Sequence, residues 1–294
     1  MANEKYFLRY SKIINRVKVG DYPSLSTLLD YLSESGFTID KRTFNRDKIA
    51  IEDLFETEII YSRARNGYYI NTEDVNSLYS KKLQETLDLF SSIKIAGKND
   101  ELIDFDKRIS IGTEHLNFIL ETIKNSLQLT FTHKKYQEDS STNRTVEPYM
   151  LKESQGRWYL VAKDLKDKRI KTFALDRISS VAHNKNGTFK KPPTLDLKNY
   201  FKNSFGIINL NAPEEIIITV YGNNSSFIKS YPLHNSQKVV EENNESITFS
   251  LNLSIAPDFV MEIMKYTADL EVIKPIHLRN TIRKNYLKAI DRNS

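Results

Sequence analysis

Three observations predict an α+β chain of several domains. Apolar residues recur at helical spacing in three short stretches before residue 56, and β-prone runs flank an Asn-Gly pair soon after them. From Leu127 the apolar period drops to two, and beyond residue 213 strand-like and helix-like stretches alternate. The 294 residues suffice for about two domains of ordinary size, or three small ones.

The first stripe runs over residues 4–18, where Tyr6/Phe7, Tyr10, Ile13/Ile14 and Val17 recur every three or four residues. Asp21-Tyr22-Pro23-Ser24 breaks the chain and recaps it, and Leu25, Leu28, Leu29 and Leu32 carry a second helix as far as the terminator Gly36. Asp40 then caps a third helix with Phe44, Lys48/Ile49, Ile51 and Leu54/Phe55 inward. Ile59-Ile60-Tyr61 and Tyr68-Tyr69-Ile70 form a hairpin around Arg63-Ala64-Arg65-Asn66-Gly67. Three helices and a hairpin predict a winged helix-turn-helix over residues 1–71.

Residues 72–126 lack proline and read as a helical connector that also serves dimerisation, broken at Ala96–Asp100. Leu127, Leu129 and Phe131 open a strand with one buried face, and further β-like runs at 143–152, 157–163 and 169–176 predict a small barrel over 127–192. The rest, 193–294, reads strand (215–221), helix (225–231), strand, strand (246–253), helix (257–266), strand (270–274) and final helix (276–290). That βαββαβ order predicts a ferredoxin-like domain with one extra helix.

Composition narrows the function. No cysteine is present, so disulfides and thiolate chemistry are excluded. Mean hydropathy is −0.49 and no stretch approaches the roughly 18 apolar residues of a membrane span. The charged start MANEKYFLRYSK has no secretory pattern, so a cytoplasmic location and no membrane partner are expected. The five histidines, His115, His133, His183, His234 and His277, form no HxH or HExxH spacing, and phosphate loops and GxSxG elbows are absent. Neither an enzyme nor a metal or cofactor is expected, although scattered carboxylates leave a metal-dependent nuclease as an alternative.

A formal charge of +5 permits nucleic-acid contact, and its placement is more telling. The first 70 residues hold 11 Lys or Arg against 10 Asp or Glu, yet the octet Lys41–Lys48 holds four bases and one acid. Lys41, Arg42, Thr43, Asn45, Arg46 and Lys48 open the third helix, where a recognition helix presents side chains to base edges. Arg63 and Arg65 at the hairpin tip suit phosphates or a minor groove. An internal Arg46–Asp47 link would fix this helix. The pattern Arg42-Thr43-Phe44-Asn45-Arg46-Asp47, with Asn66-Gly67-Tyr68 in the wing, resembles the winged-helix domains of DeoR-like and YafY-like regulators.

Gly156-Arg157-Trp158-Tyr159-Leu160-Val161-Ala162, then Lys171–Ile178, with Glu147-Pro148-Tyr149-Met150-Leu151 and Tyr136 upstream, resemble a WYL domain over about 127–190. The resemblance implies a five-stranded SH3-like barrel that regulates an attached DNA-binding domain by binding a ligand, in some members nucleic acid or a nucleotide. Lys171 stands where members commonly carry Arg, which keeps the charge and gives up the bidentate fork. Strand alternation sets Trp158 and Leu160 toward the core, and Tyr136, Tyr159, Lys171 and Arg177 remain as ligand candidates, with Phe173 beside Lys171 and Arg144 in a polar loop. Leu233-His234-Asn235-Ser236-Gln237 and Leu270–Arg279 resemble the WCX extension that follows many WYL domains. The expected function is a homodimeric, ligand-responsive transcriptional regulator on double-stranded DNA with an anionic effector. The alternative is a nucleic-acid-binding accessory of a CRISPR-type defence system.

Overall fold

The computed structural model describes residues 2–70, 78–97, 101–105, 112–135, 140–197, 199–208 and 212–294. They fall in two compact units, Met1–Lys107 and Arg108–Ser294.

In the first unit, α1 (Ala2–Lys18), α2 (Leu25–Glu34) and α3 (Lys41–Phe55) are followed by the hairpin β1 (Ile59–Ser62) and β2 (Gly67–Ile70). Local chemistry fixes the helix ends. Ser24 Oγ accepts from the Thr27 amide at 3.2 Å and Asp40 Oδ1 from the Thr43 amide at 2.7 Å, so each cap satisfies one orphan donor. Ile13, Ile14, Leu28, Leu32, Phe44 and Ile51 are fully buried in one core, and burial of each such side chain stabilises by about 1.5–3 kcal/mol. A fourth helix, α4 (Leu78–Ala96), adds Leu87 to that core, and its Gln84 amide donates to the buried Thr57 hydroxyl at 2.7 Å.

The hairpin differs from a two-residue Asn-Gly turn. Ser62 pairs with Gly67, so the loop is Arg63–Asn66, with Asn66 left-handed at φ 50°. Gly67 is the first ladder residue. The Tyr68 amide donates to the Pro23 carbonyl at 2.9 Å, and this pulls the strand so close that a Cβ on Gly67 would stand 1.8 Å from the Tyr22 carbonyl oxygen. The wing is thereby tied to the turn that precedes α2.

In the second unit, α5 (Leu116–Lys124) packs on a sheet of β3 (Leu127–Lys134), β4 (Ser141–Ser154), β5 (Arg157–Asp164), β6 (Ile170–Ala174) and β7 (Ile178–Thr188). The stretch read as one connector thus places α4 in the first unit and α5 in the second. The strands run antiparallel in the order β6-β5-β4-β3-β7. Among the described residues no ladder joins β6 to β7, so the expected closed barrel is corrected to an open five-stranded sheet. Ile119, Leu129, Phe131, Val146, Leu160, Ala162, Phe173 and Leu175 form its core.

The chain continues through β8 (Glu214–Tyr221), α6 (Asn223–Ser230), β9 (Lys238–Glu242), β10 (Ser246–Leu253), α7 (Pro257–Met264), β11 (Leu270–Lys274) and α8 (Ile276–Asn293). The four strands pair antiparallel in the order β11-β8-β10-β9, and Phe249, Phe259, Ile216 and Ile218 centre the core beneath them. Among the described residues no helix is long and apolar enough to cross a membrane.

Replacing Gly67 by Ala should displace the wing from the 22–23 turn and lower stability by about 1–3 kcal/mol, the usual cost of overpacking. Urea unfolding followed by circular dichroism measures this, and an unchanged midpoint would contradict the close approach.

Candidate nucleic-acid interface and effector site

The inward face of α3 carries Phe44, Asp47, Ile51 and Phe55, all buried. A carboxylate in that row is costly unless paired, and the pair comes from α1. Arg9 Nε and Nη2 donate to Asp47 Oδ2 and Oδ1 at 2.6 and 2.8 Å, a bidentate fork 8% and 1% exposed. Asp47 also holds the Arg9 guanidinium more firmly protonated than usual. The expected Arg46–Asp47 link is therefore replaced by Arg9–Asp47, and the Arg46 side chain is left outside.

With its core side locked, α3 turns Lys41, Arg42, Asn45, Arg46 and Ile49 outward, all exposed. None of the polar four side chains hydrogen-bonds to another described residue. Positions 42, 45, 46 and 49 share one helix face. Thr43 serves the Asp40 cap instead. Lys48 lies at the flank, its ammonium 5.2 Å from the Tyr68 ring centroid, and burial lowers its pKa. At the wing tip Arg63 and Arg65 are exposed, and the Arg65 guanidinium stacks 4.6 Å from the Tyr22 ring centroid. The wing arginines differ accordingly: Tyr22 orders Arg65, while Arg63 extends from the loop.

In the second unit the ligand candidates separate. Register places Tyr159 opposite Ala174, and Leu160 opposite Phe173. Tyr159 therefore lies on the sheet face away from Phe173 and Lys171, and one small ligand cannot use both. Phe173 is 4% exposed and packs edge-to-face on Phe131, as part of the core. Tyr136 lies outside the described residues.

Lys171 and Arg144 converge on a residue that spacing did not single out. Asp164, fully buried at the end of β5, accepts from Lys171 Nζ at 2.8 Å, Arg144 Nη1 at 3.0 Å and the Lys166 amide at 3.0 Å. Asp167 also pairs with Lys171. Burial pushes the Asp164 pKa up, but the Lys171 and Lys166 hydrogen bonds and the two cations outweigh it, and the net shift is downward. His133 stands edge-to-face against Phe173 at 5.4 Å. Burial, then the charges of Arg177, Arg144 and Lys135, lower its pKa, which places Arg177 in the same electrostatic neighbourhood. Asp176 pairs with Arg157 at 3.3 Å. The sheet thus brings Arg144 and Lys171 together on Asp164, and the charges of Arg144 and Arg177 both act on His133. The signal in the sequence was an aspartate at the end of an apolar strand, seven residues before Lys171.

Asp47→Ala should destabilise the first unit by about 3–5 kcal/mol, because it leaves Arg9 buried and unpaired, whereas Arg9→Met with Asp47→Leu should be near neutral or stabilising. Chemical unfolding of the two variants decides between these outcomes.

For Asp164, a pKa held below its unfolded value near 3.9 gives stability that is present above that pH and lost as pH falls through the lower folded value. Urea midpoints between pH 5 and 2 should fall more steeply for the parent chain than for Asp164→Asn. Parallel profiles would contradict the pairing.

Family models match a WYL domain at residues 114–183 and a WCX domain at residues 212–289. A search of the curated proteins finds no match to this chain. Among solved structures, proteasome accessory factor B/C (PafBC) of Arthrobacter aurescens is 16% identical at a TM-score of 0.40, over 95% of this chain and 46% of that one. This chain therefore spans less than half the length of that protein. A CRISPR Cas-related protein is 13% identical at a TM-score of 0.40, over 99% of this chain and 83% of the other. The WYL match takes in α5 and the Asp164 cluster, and the WCX match runs from β8 into α8. The chain carries a WYL domain, and a WCX domain follows it.

Proposed function

We propose that this protein is a transcriptional regulator that binds duplex DNA through α3 and the β1–β2 wing, without catalysis. The observation that carries the reading is the outward face Arg42, Asn45 and Arg46, whose side chains hydrogen-bond to no other described residue while Arg9–Asp47 holds the helix beneath them. Arginine reads guanine and asparagine reads adenine bidentately in the major groove, and exposed wing arginines add phosphate contact. One such helix covers few base pairs, so the regulator acts as a homodimer on two half-sites. It works in the cytoplasm.

The WYL sheet is the sensor in this reading, and its effector is an anion, with a nucleotide or short single strand as the first choice. Arg144, Lys171 and Arg177 supply the charge, and Asp164 keeps two of them in place. Because Lys171 is already shared by Asp164 and Asp167, the effector must compete with or join carboxylates, which favours a multiply charged group such as a phosphate over a single carboxylate. Such an anion alters DNA affinity only if it binds the DNA-competent and incompetent arrangements unequally, and couplings of about 1–3 kcal/mol are typical.

Selection of bound fragments from genomic DNA, followed by titration of labelled duplex and single strands with and without Mg²⁺, tests the reading. Arg42→Ala, Asn45→Ala or Arg46→Ala should each cost about 1–3 kcal/mol on the selected duplex where it reads a base. Arg63→Ala should weaken all sequences alike and flatten the salt dependence. Full affinity in an Arg42→Ala/Arg46→Ala double variant that folds normally, preference for single strands, or appearance of cleavage products would each overturn the reading.

A further inference from the structure

The last helix of the WCX domain borders a groove that the DNA-binding reading does not use. After the corner at Pro275, α8 folds back along β11, the edge strand of its sheet, and Leu278 and Ile282 pack with Leu270 and Val272 into the core. Further along, α8 is drawn toward α7. The Tyr286 hydroxyl donates to the Met264 carbonyl at 2.9 Å, and the Asn285 amide to the Met264 sulfur at 3.5 Å. A groove of about 330 Å³ is left between β11 and α8, within the size range of small-molecule sites.

The groove is polar at one end and apolar at the other. Positions 279, 283, 286, 287 and 290 share one face of α8, so Arg279 and Arg283 stand nearest the corner and Leu287 and Ile290 lie beyond them. Leu287 and Ile290 are 52% and 61% exposed, which leaves the apolar end open to an occupant. The Tyr286 hydroxyl is spent on Met264, so the side chains at that end offer a ligand no hydrogen bond.

The charges are unequally committed. Arg279 Nε donates to the Val272 carbonyl at 2.5 Å and its Nη2 to Glu271 Oε1 at 3.4 Å, while Glu271 also accepts from the Tyr221 hydroxyl at 3.3 Å. Arg279 is thereby fixed on the strand and offset by Glu271. Arg283, exposed one helical turn on, hydrogen-bonds to no other described residue. Two arginines against one glutamate leave a single positive charge among the lining residues, and it sits on a planar fork that matches a carboxylate.

We propose that this groove binds a monocarboxylate with an unbranched apolar chain, its carboxylate on Arg283 and its chain along Leu270, Tyr286, Leu287 and Ile290. Arg283 and Ile290 are seven residues apart, about 10 Å along the helix, which suits a chain of about eight carbons. The single charge follows from Glu271, which repels a second anionic group. The site stands apart from Arg144 and Lys171 of the WYL sheet and does not rest on the DNA-binding reading.

The first unit supplies an internal comparison. A cavity of about 380 Å³ there is lined by Phe7, Leu54, Phe55, Leu83 and Leu87 among others, and none of its lining residues is charged. Such a cavity has no means of telling an acid from the matching alcohol.

Calorimetric titration of the full chain with hexanoate, octanoate, decanoate and octan-1-ol tests the assignment, with methyl NMR of leucine- and isoleucine-labelled protein to place the ligand. Affinity should rise about two- to fourfold per added methylene, and octanoate should bind about fivefold tighter than octan-1-ol. Arg283→Gln should bring octanoate down to the level of octan-1-ol without changing the affinity for the alcohol or the melting temperature. Leu287→Ser with Ile290→Ser should weaken both ligands. Methyl shifts should centre on Leu270, Leu287 and Ile290. Absence of saturable octanoate binding, equal affinity for acid and alcohol in the parent chain, an unchanged acid preference in Arg283→Gln, or shifts at Leu54, Leu83 and Leu87 in place of the groove would overturn the assignment.

Discussion

A buried ion pair set among the apolar residues of its inner face holds α3 against α1. Asp47 sits in the same helical row as Phe44 and Ile51, and a carboxylate there is tolerable only because Arg9 meets both its oxygens. The fork is planar and bidentate, so it fixes rotation of α3 about its own axis as well as its distance from α1. Rotation decides which residues reach outward. A turn of about 100°, one residue's worth, would bury Arg46 and expose Phe44. The pair thus links core packing to which side chains α3 exposes.

A similar economy organises the WYL sheet. Asp164 is a buried acceptor that draws Arg144 from β4 and Lys171 from β6 to the same end of the sheet, and the Lys166 amide closes the adjoining turn onto it. The cations are preorganised, which lowers the entropy an anion would have to remove on binding, and they are partly neutralised, which lowers the charge it would meet. The two effects pull in opposite directions.

Features set by near neighbours in the chain were legible from residues alone: the Ser24 and Asp40 caps, the helix stop near Gly36, the hairpin after Tyr61, and the alternation of strands and helices after residue 213. Features set by distant pairing were not. Asp47 finds its partner 38 residues away, and spacing within the octet suggested its neighbour Arg46 instead. Alternation sorted Tyr159 from Leu160 within one strand, but only the register of β5 on β6 shows that Tyr159 and Lys171 occupy opposite faces. The open sheet is a third case, since strand count and spacing do not reveal whether the first and last strands meet. Asp164 was missed because it stands among turn residues, where an aspartate ordinarily faces water.

In the proposed function the first unit presents the outward face of α3 and the wing to duplex DNA. Hydrogen exchange of the full chain with and without its selected duplex tests it most directly. Protection on binding should be confined to residues near 40–49 and 62–67, at the start of α3 and in the wing. Protection confined to the sheet strands 141–174, with α3 and the wing unchanged, would contradict the account.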